Sequence, residues 1–215
     1  MVQKSARPPP EGPPRRRGRP REFEPDAALA RAMDVFWKDG FAATSLDELS
    51  AATGLNRPSL YGAFGDKRGL YLQAYQRYRE QVREAFAPLF ADALPLSDKL
   101  RRILLAALDL YLSGDDGPRG CFTVLSVSSD AIADPEIRAM VGEAIDAMDR
   151  AFERLFVRAV EAGELPAGAD PKRLARLASA TLHTLSIRAR ARLPRTEIEP
   201  IVDDAVAVIC SPADG

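Results

Sequence analysis

The chain has 215 residues, a formal net charge of −1 and a hydrophobic content of 46%. That is enough apolar material for one or two globular domains with a substantial core, and no stretch approaches the ~20 apolar residues of a membrane-spanning helix. One histidine excludes a multi-histidine metal centre, no glycine-rich phosphate loop is present, and Cys121 and Cys210 are too far apart in the chain for a CxxC pair or a disulfide framework.

The near-neutral total hides an asymmetry. Residues 1–21 carry Lys4, Arg7, Arg15, Arg16, Arg17, Arg19 and Arg21 against the single acid Glu11, so the rest of the chain is acidic. The segment is rich in proline and nearly free of apolar residues, which predicts a disordered arm. No apolar stretch follows its basic residues, so it does not read as a secretory signal. Two isolated cysteines fit a reducing cytoplasm. A basic arm on an acidic body is expected where only one end meets a polyanion; a solubilising tail is the alternative. The thin Arg-Gly-Arg-Pro run at residues 17–20 suits entry of Arg17 and Arg19 into a narrow, negative minor groove.

Leu29, Ala32, Met33 and Phe36 follow helical spacing, so residues 25–38 read as a helix that Gly40 ends. Ser45 with Glu48 three residues on is a capping-box signature for a second helix, with Leu46 and Leu49 facing inward. Gly54 makes a turn. Asn56 then caps a third helix, in which Pro58 is tolerated because first-turn amides have no helical partner. Two short helices about a glycine turn form a helix-turn-helix, whose second member enters the major groove of DNA.

A long helix is expected from Asp66 toward Pro88, with Leu70, Ala74, Tyr75, Tyr78, Val82, Ala85 and Leu89 on one face. Residues 97–112 are apolar on most sides, which predicts burial all round. Residues 113–118 read as a loop. Residues 121–127 are rich in β-branched side chains but have no partner strand, so they are assigned to a short buried helix. Asp134-Pro135 and Asp170-Pro171 each give a helix start. The first opens a stripe of Ile137, Met140, Val141, Ala144, Ile145, Met148, Phe152, Leu155 and Phe156, and the second one of Leu174, Leu177, Ala178, Thr181, Leu182 and Leu185. Ile198, Ile201, Val202, Ala205, Val206 and Ile209 complete a last helix. The chain therefore reads all-α, with a basic arm over 1–21, a helix-turn-helix domain over 22–68 and a larger helical domain over 69–211.

Residues 36–41 (Phe-Trp-Lys-Asp-Gly-Phe), Thr44-Ser45 ahead of Leu49, residues 53–61 (Thr-Gly-Leu-Asn-Arg-Pro-Ser-Leu-Tyr), Phe64 and Lys67 together resemble the tetracycline-repressor (TetR) family of bacterial transcriptional regulators. The resemblance implies that Arg57, Pro58, Ser59, Tyr61 and Lys67 approach double-stranded DNA. Where many relatives carry larger residues after the tyrosine, this chain has Gly62 and Ala63, which shifts readout toward Arg57.

Chemistry fits those positions. Arg57 can donate two hydrogen bonds to guanine, with a phosphate contact as the alternative. Tyr61 can donate to phosphate or pack on the domain's own core, and Lys67 in a first helical turn suits a phosphate. Thr44 and Ser45 contact phosphate or cap their helix. Leu46, Leu49, Leu55, Leu60 and Phe64 are core.

The resemblance also implies a small-molecule effector; a homodimer is expected because one short recognition helix reads few base pairs, and no cofactor is expected. Candidate lining residues are Leu104, Leu108, Tyr111, Cys121, Phe122, Leu125, Val141, Ile145, Met148 and Phe152, with ordinary core packing the weightier alternative for each. A dimer surface is expected from Leu174, Ala178, Thr181, Leu182, Leu185, Ile198, Ile201, Val202, Ala205 and Ile209, with packing within one chain as the alternative. His183 could bind ligand, bridge the dimer or be a satisfied core polar group. A redox sensor built on Cys121, with Arg119 as its cationic neighbour, is the alternative function, and an all-helical enzyme a remoter one.

Overall fold

The computed structural model describes residues 24–129 and 133–211. Among these there are nine helices and no strand: α1 (Pro25–Ala43), α2 (Leu46–Thr53), α3 (Arg57–Phe64), α4 (Lys67–Ala91), α5 (Leu96–Leu112), α6 (Phe122–Ser129), α7 (Pro135–Glu161), α8 (Pro171–Arg190) and α9 (Arg195–Cys210). The all-α expectation holds. The basic arm, with Arg17 and Arg19, lies outside the described residues.

Local chemistry sets most boundaries. Ser45 accepts from the Glu48 amide at 3.2 Å while Glu48 accepts from the Ser45 amide at 2.6 Å, which closes the capping box. That amide holds the Glu48 carboxyl below its ordinary value. Asn56 and Asp66 accept from the Ser59 and Gly69 amides at 2.9 and 2.7 Å and start α3 and α4. Asp134 and Asp170 cap α7 and α8 in the same way. Gly54 leaves α2 in the left-handed region at φ 71°, the backbone a glycine adopts at no steric cost. At Gly40, with φ 80°, α1 kinks, and residues 41–43 continue it beyond the expected end.

Three expectations need correction. Pro88 does not stop α4, which continues to Ala91 around it. Its missing N–H forgoes one intrahelical bond, and packing of Phe86 and Phe90 into the core outweighs that loss. In α4 the buried position is Phe86, while Ala85 faces solvent. Nor is α5 buried all round, because Arg101, Arg102 and Asp109 keep one side in water.

Two apolar clusters organise the chain. One joins α1–α3 to the first half of α4, and it reaches on to Phe122, Leu125, Ile137 and Val141. The other fills the space among α5, α7, α8 and α9. The first cluster continues past residue 68 into α4, α6 and α7. α6 is a shared piece: Phe122 is fully buried against Trp37, Tyr71, Tyr75 and Tyr78, with ring centroids 5.5–6.4 Å apart. Burying one such ring contributes about 1.5–3 kcal/mol.

Polar ties reinforce the seam between α1–α4 and the rest of the chain. The Trp37 indole donates to the Gly120 carbonyl at 3.0 Å. Arg190 of α8 donates to the carbonyls of Lys38 and Arg119 at 2.9 and 3.0 Å. Tyr71 and Ser126 share a 2.6 Å hydroxyl bond. Arg68 at the start of α4 binds Asp134 through two nitrogens and Glu136 at 2.5 Å, both at the start of α7. That guanidinium, followed by the Ile137 and Glu136 amides, holds the Asp134 carboxyl down at about 2.

Candidate nucleic-acid interface and ligand cavity

α2 and α3 are short, so their mutual angle depends on the apolar side chains beneath them. Leu49 and Leu60 are buried, as is Phe64, against Phe36, Leu70 and Tyr71. Gly69 lets α4 press on the end of α3: a Cβ there would lie 2.6 Å from the Phe64 carbonyl oxygen. The side of α3 turned to solvent carries Arg57, Pro58, Tyr61 and Gly62. At 45% exposure Tyr61 is not a core residue, and its hydroxyl is available to a partner.

Arg57 lies against α2, donating to Asp47 at 2.8 Å. Both side chains are more than half exposed, and an exposed pair of this kind contributes only about 0–1 kcal/mol. A guanine or phosphate can displace Asp47 at little cost. Ser59 is half-buried, with its amide satisfied by Asn56. The Lys67 ammonium sits 4.4 Å from the centroid of the Phe41 ring, at the end of α1. Ser45 is exposed beside its cap. Thr44 is the exception among the expected contacts: it is 2% exposed and its hydroxyl donates to the Gly40 carbonyl at 2.6 Å. Its side chain closes the kink in α1 and is not presented to a phosphate.

Held outward on one helix, these side chains can hydrogen-bond to base edges or phosphates. Residues 28–74 match the model of the tetR family of bacterial regulatory proteins, and residues 94–205 match that of the tetracyclin repressor-like C-terminal domain. The chain belongs to the TetR family. It is 31% identical over 175 residues to the transcriptional repressor ComR of Escherichia coli strain K12, covering 81% of this chain and 83% of that protein. A 121-residue stretch is 35% identical to the repressor BdcR of the same strain, covering 56% of this chain and 59% of that one. Among solved structures, a cysteine mutant of the TetR family regulator CifR complexed with 26 bp double-strand operator DNA superposes with a TM-score of 0.81 at 32% identity, covering 88% of this chain and 98% of that chain. This TetR family chain is therefore a helix-turn-helix transcriptional regulator. Among the described residues no helix is long and apolar enough to cross a membrane, and no group of three His, Cys, Asp or Glu could hold a metal ion.

The body of this TetR regulator contains a cavity of about 550 Å³ among α4, α5, α7 and α8. That is within the ~300–1,000 Å³ range of ligand pockets. Of the ten expected effector contacts, Tyr111, Cys121 and Met148 line it. Leu104, Leu108, Phe122, Val141 and Phe152 are corrected to packed core: each is buried and none faces the cavity. Leu125 and Ile145, again with Cys121, line a separate apolar groove of about 620 Å³ that also touches α8. His183 lines this groove. Burial lowers its pKa, and it makes no hydrogen bond among the described residues, so it is not a satisfied core polar group.

The sequence reading missed the α4 wall of the cavity, made by Tyr78, Val82, Phe86 and Phe90 with Arg79 and Arg83. Arg79 and Arg83, four apart and flanking Val82, were the available signal. At the deep end the Tyr78 hydroxyl meets the Cys121 thiol at 3.4 Å, and Tyr75 donates to Thr123 at 3.0 Å. Burial pushes the Tyr78 and Tyr111 phenols up, so both stay protonated. Arg119 is committed to Asp34 at 2.7 Å and to the Trp37 ring at 4.9 Å. It does not supply Cys121 with the cationic neighbour that a sensor thiol needs.

The expected dimer stripe is largely spent within one chain. Ala178, Leu182, Leu185, Ile198, Val202 and Ile209 are buried in the body's own core, a correction to their assignment as dimer surface. The flank left outward carries Leu177 and Val208, 44% and 71% exposed, with the partly exposed Leu174, Thr181, Ile201 and Ala205.

Proposed function

We propose that the chain is a ligand-responsive repressor that binds a palindromic operator as a homodimer and is released when a small hydrophobic effector fills the α4–α5–α7 cavity. The observation that carries the reading is α3, which holds Arg57, Pro58 and Tyr61 outward on a buried base. One such helix reads few base pairs, and two-fold pairing doubles the readout over half-sites ~34–36 Å apart. The apolar outer flank of α8 and α9 supplies the pairing surface, and the basic arm adds minor-groove contacts through Arg17 and Arg19. ComR is itself described as a repressor and CifR is seen on operator DNA, which favours the same activity here.

Release follows from the cavity's walls. α4 runs from the reading head into the cavity, and its N-terminus is tied to α7 through Arg68. An effector that fits a different α4–α7 spacing shifts the dimer away from the geometry that DNA selects. A coupling of ~1–3 kcal/mol changes operator affinity about 5–150-fold. The test is selection of duplexes from a random pool by the full chain. A recovered palindrome supports the reading, and compounds can then be screened for its release. Equal retention of all duplexes and of heparin at moderate ionic strength removes it.

A further inference from the structure

We propose that the cavity takes an amphipathic anion, its anionic head group held between arginine pairs of α4 and α7 and its aliphatic tail against the apolar walls. This rests on reading the cavity as the effector site. Arg79 and Arg83 are four residues apart on α4, Arg154 and Arg158 are four apart on α7, and all four line the cavity. Side chains at that spacing share a helix face, and like charges there oppose helix formation. Two such pairs lining one opening favour an anion between them. Arg83, Arg154 and Arg158 are exposed, which puts the charge at the rim and the apolar surface behind it.

The protein itself provides little neutralisation. Glu80 is the only acidic residue in the lining, and its carboxylate accepts from Gln76 at 2.8 Å. Arg79 reaches Glu143 only at 3.5 Å. Arg158 meets the Phe90 carbonyl at 3.4 Å. Arg83 and Arg154 have neither an acidic partner nor a hydrogen bond among the described residues. On an otherwise acidic body, a cationic rim over low-dielectric walls focuses the field onto an incoming anion. Behind the rim Val82, Phe86, Phe90, Met148 and Leu182 offer only hydrocarbon, ring and thioether surface. Charge has no place behind the rim, so the head group stays at the arginines, and a cation is repelled there.

The proposal is tested by calorimetric titration of the full chain, without DNA, using straight-chain carboxylates of eight to twelve carbons and the alcohols and amines of the same lengths. The carboxylate is expected to bind about tenfold or more tighter than its matching alcohol, with the preference falling as salt rises, and the amine is expected not to bind. The pair Arg83→Gln and Arg154→Gln removes the preference while alcohol binding persists, which certifies the fold of the variant. The pair Arg83→Lys and Arg154→Lys keeps it. Equal binding of alcohol and carboxylate, a preference that survives the glutamine pair, or no binding by any member overturns the proposal. Operator release by an unrelated neutral compound would overturn it too, while leaving the effector reading in place.

Discussion

Arg57 is the proposed reader of base sequence, and its resting contact defines what DNA must displace. The Asp47 pair is exposed on both sides, so it orients the guanidinium over α2 without trapping it. The Arg57→Ala variant is expected to lose about 1–3 kcal/mol of operator affinity and to relax preference at one base pair per half-site. Fluorescence anisotropy with the selected operator and its single-base variants checks this. An equal loss on every sequence would assign Arg57 to phosphate. The residue was legible in the chain because its position after an Asn cap and before Pro58 is local information. Its partner was not, because Asp47 lies on another helix and reaches Arg57 only through the α2–α3 crossing. Thr44 fails as a DNA-facing residue for a related reason: the Gly40 kink folds its hydroxyl back onto the chain, and sequence spacing does not reveal that turn.

At the scale of elements, caps, glycines and apolar stripes were readable, and the partner each stripe packs against was not. The capping box of α2, the Asn56 cap and the Gly54 turn all depend on groups within four residues. The α8 and α9 stripes look like surface in isolation, yet Ala178, Leu182, Ile198 and Val202 interlock within one chain. The cavity depends on how four helices rotate against each other, and Tyr111, Cys121 and Met148 are the expected residues that this rotation turns inward. The tie between α4 and α7 gives an element-level prediction. The Asp134 carboxyl falls from its ordinary 3.8 to about 2 beside Arg68. A depressed carboxyl stabilises the fold above its unfolded value and loses that contribution as pH falls through the folded one. The Asp134→Asn variant keeps a capping side chain but loses the charge. It is expected to melt below the parent protein at pH 6, with the gap closing between about pH 4 and pH 2. Thermal melts across that range measure it, and a gap independent of pH would refute it.

At the scale of the molecule, two features outside the reading head set its expected behaviour on DNA. Leu177 and Val208 are exposed in the single chain, so replacing both with aspartate spares the core and removes apolar contact between copies. Sedimentation of the Leu177→Asp, Val208→Asp variant is expected to give monomers at micromolar concentration where the parent gives dimers, with operator affinity falling in step. A parent that sediments as a monomer at that concentration would end the dimer reading. Removal of residues 1–21 takes away seven basic side chains. The truncated chain is expected to bind DNA more weakly and with a shallower salt dependence, since the logarithmic slope shrinks by about 0.9 for every phosphate that is no longer neutralised. An unchanged slope would mean the arm does not touch the duplex.

Trp37 is the only tryptophan in the chain, and it stands where α1 meets the Gly120 carbonyl, the Arg119 guanidinium and the Tyr78 ring. The molecule thus has a native optical gauge at its central joint. Any loosening between the part that reads DNA and the part that houses the ligand wets this single indole and shifts its emission to the red, without a dye or a label.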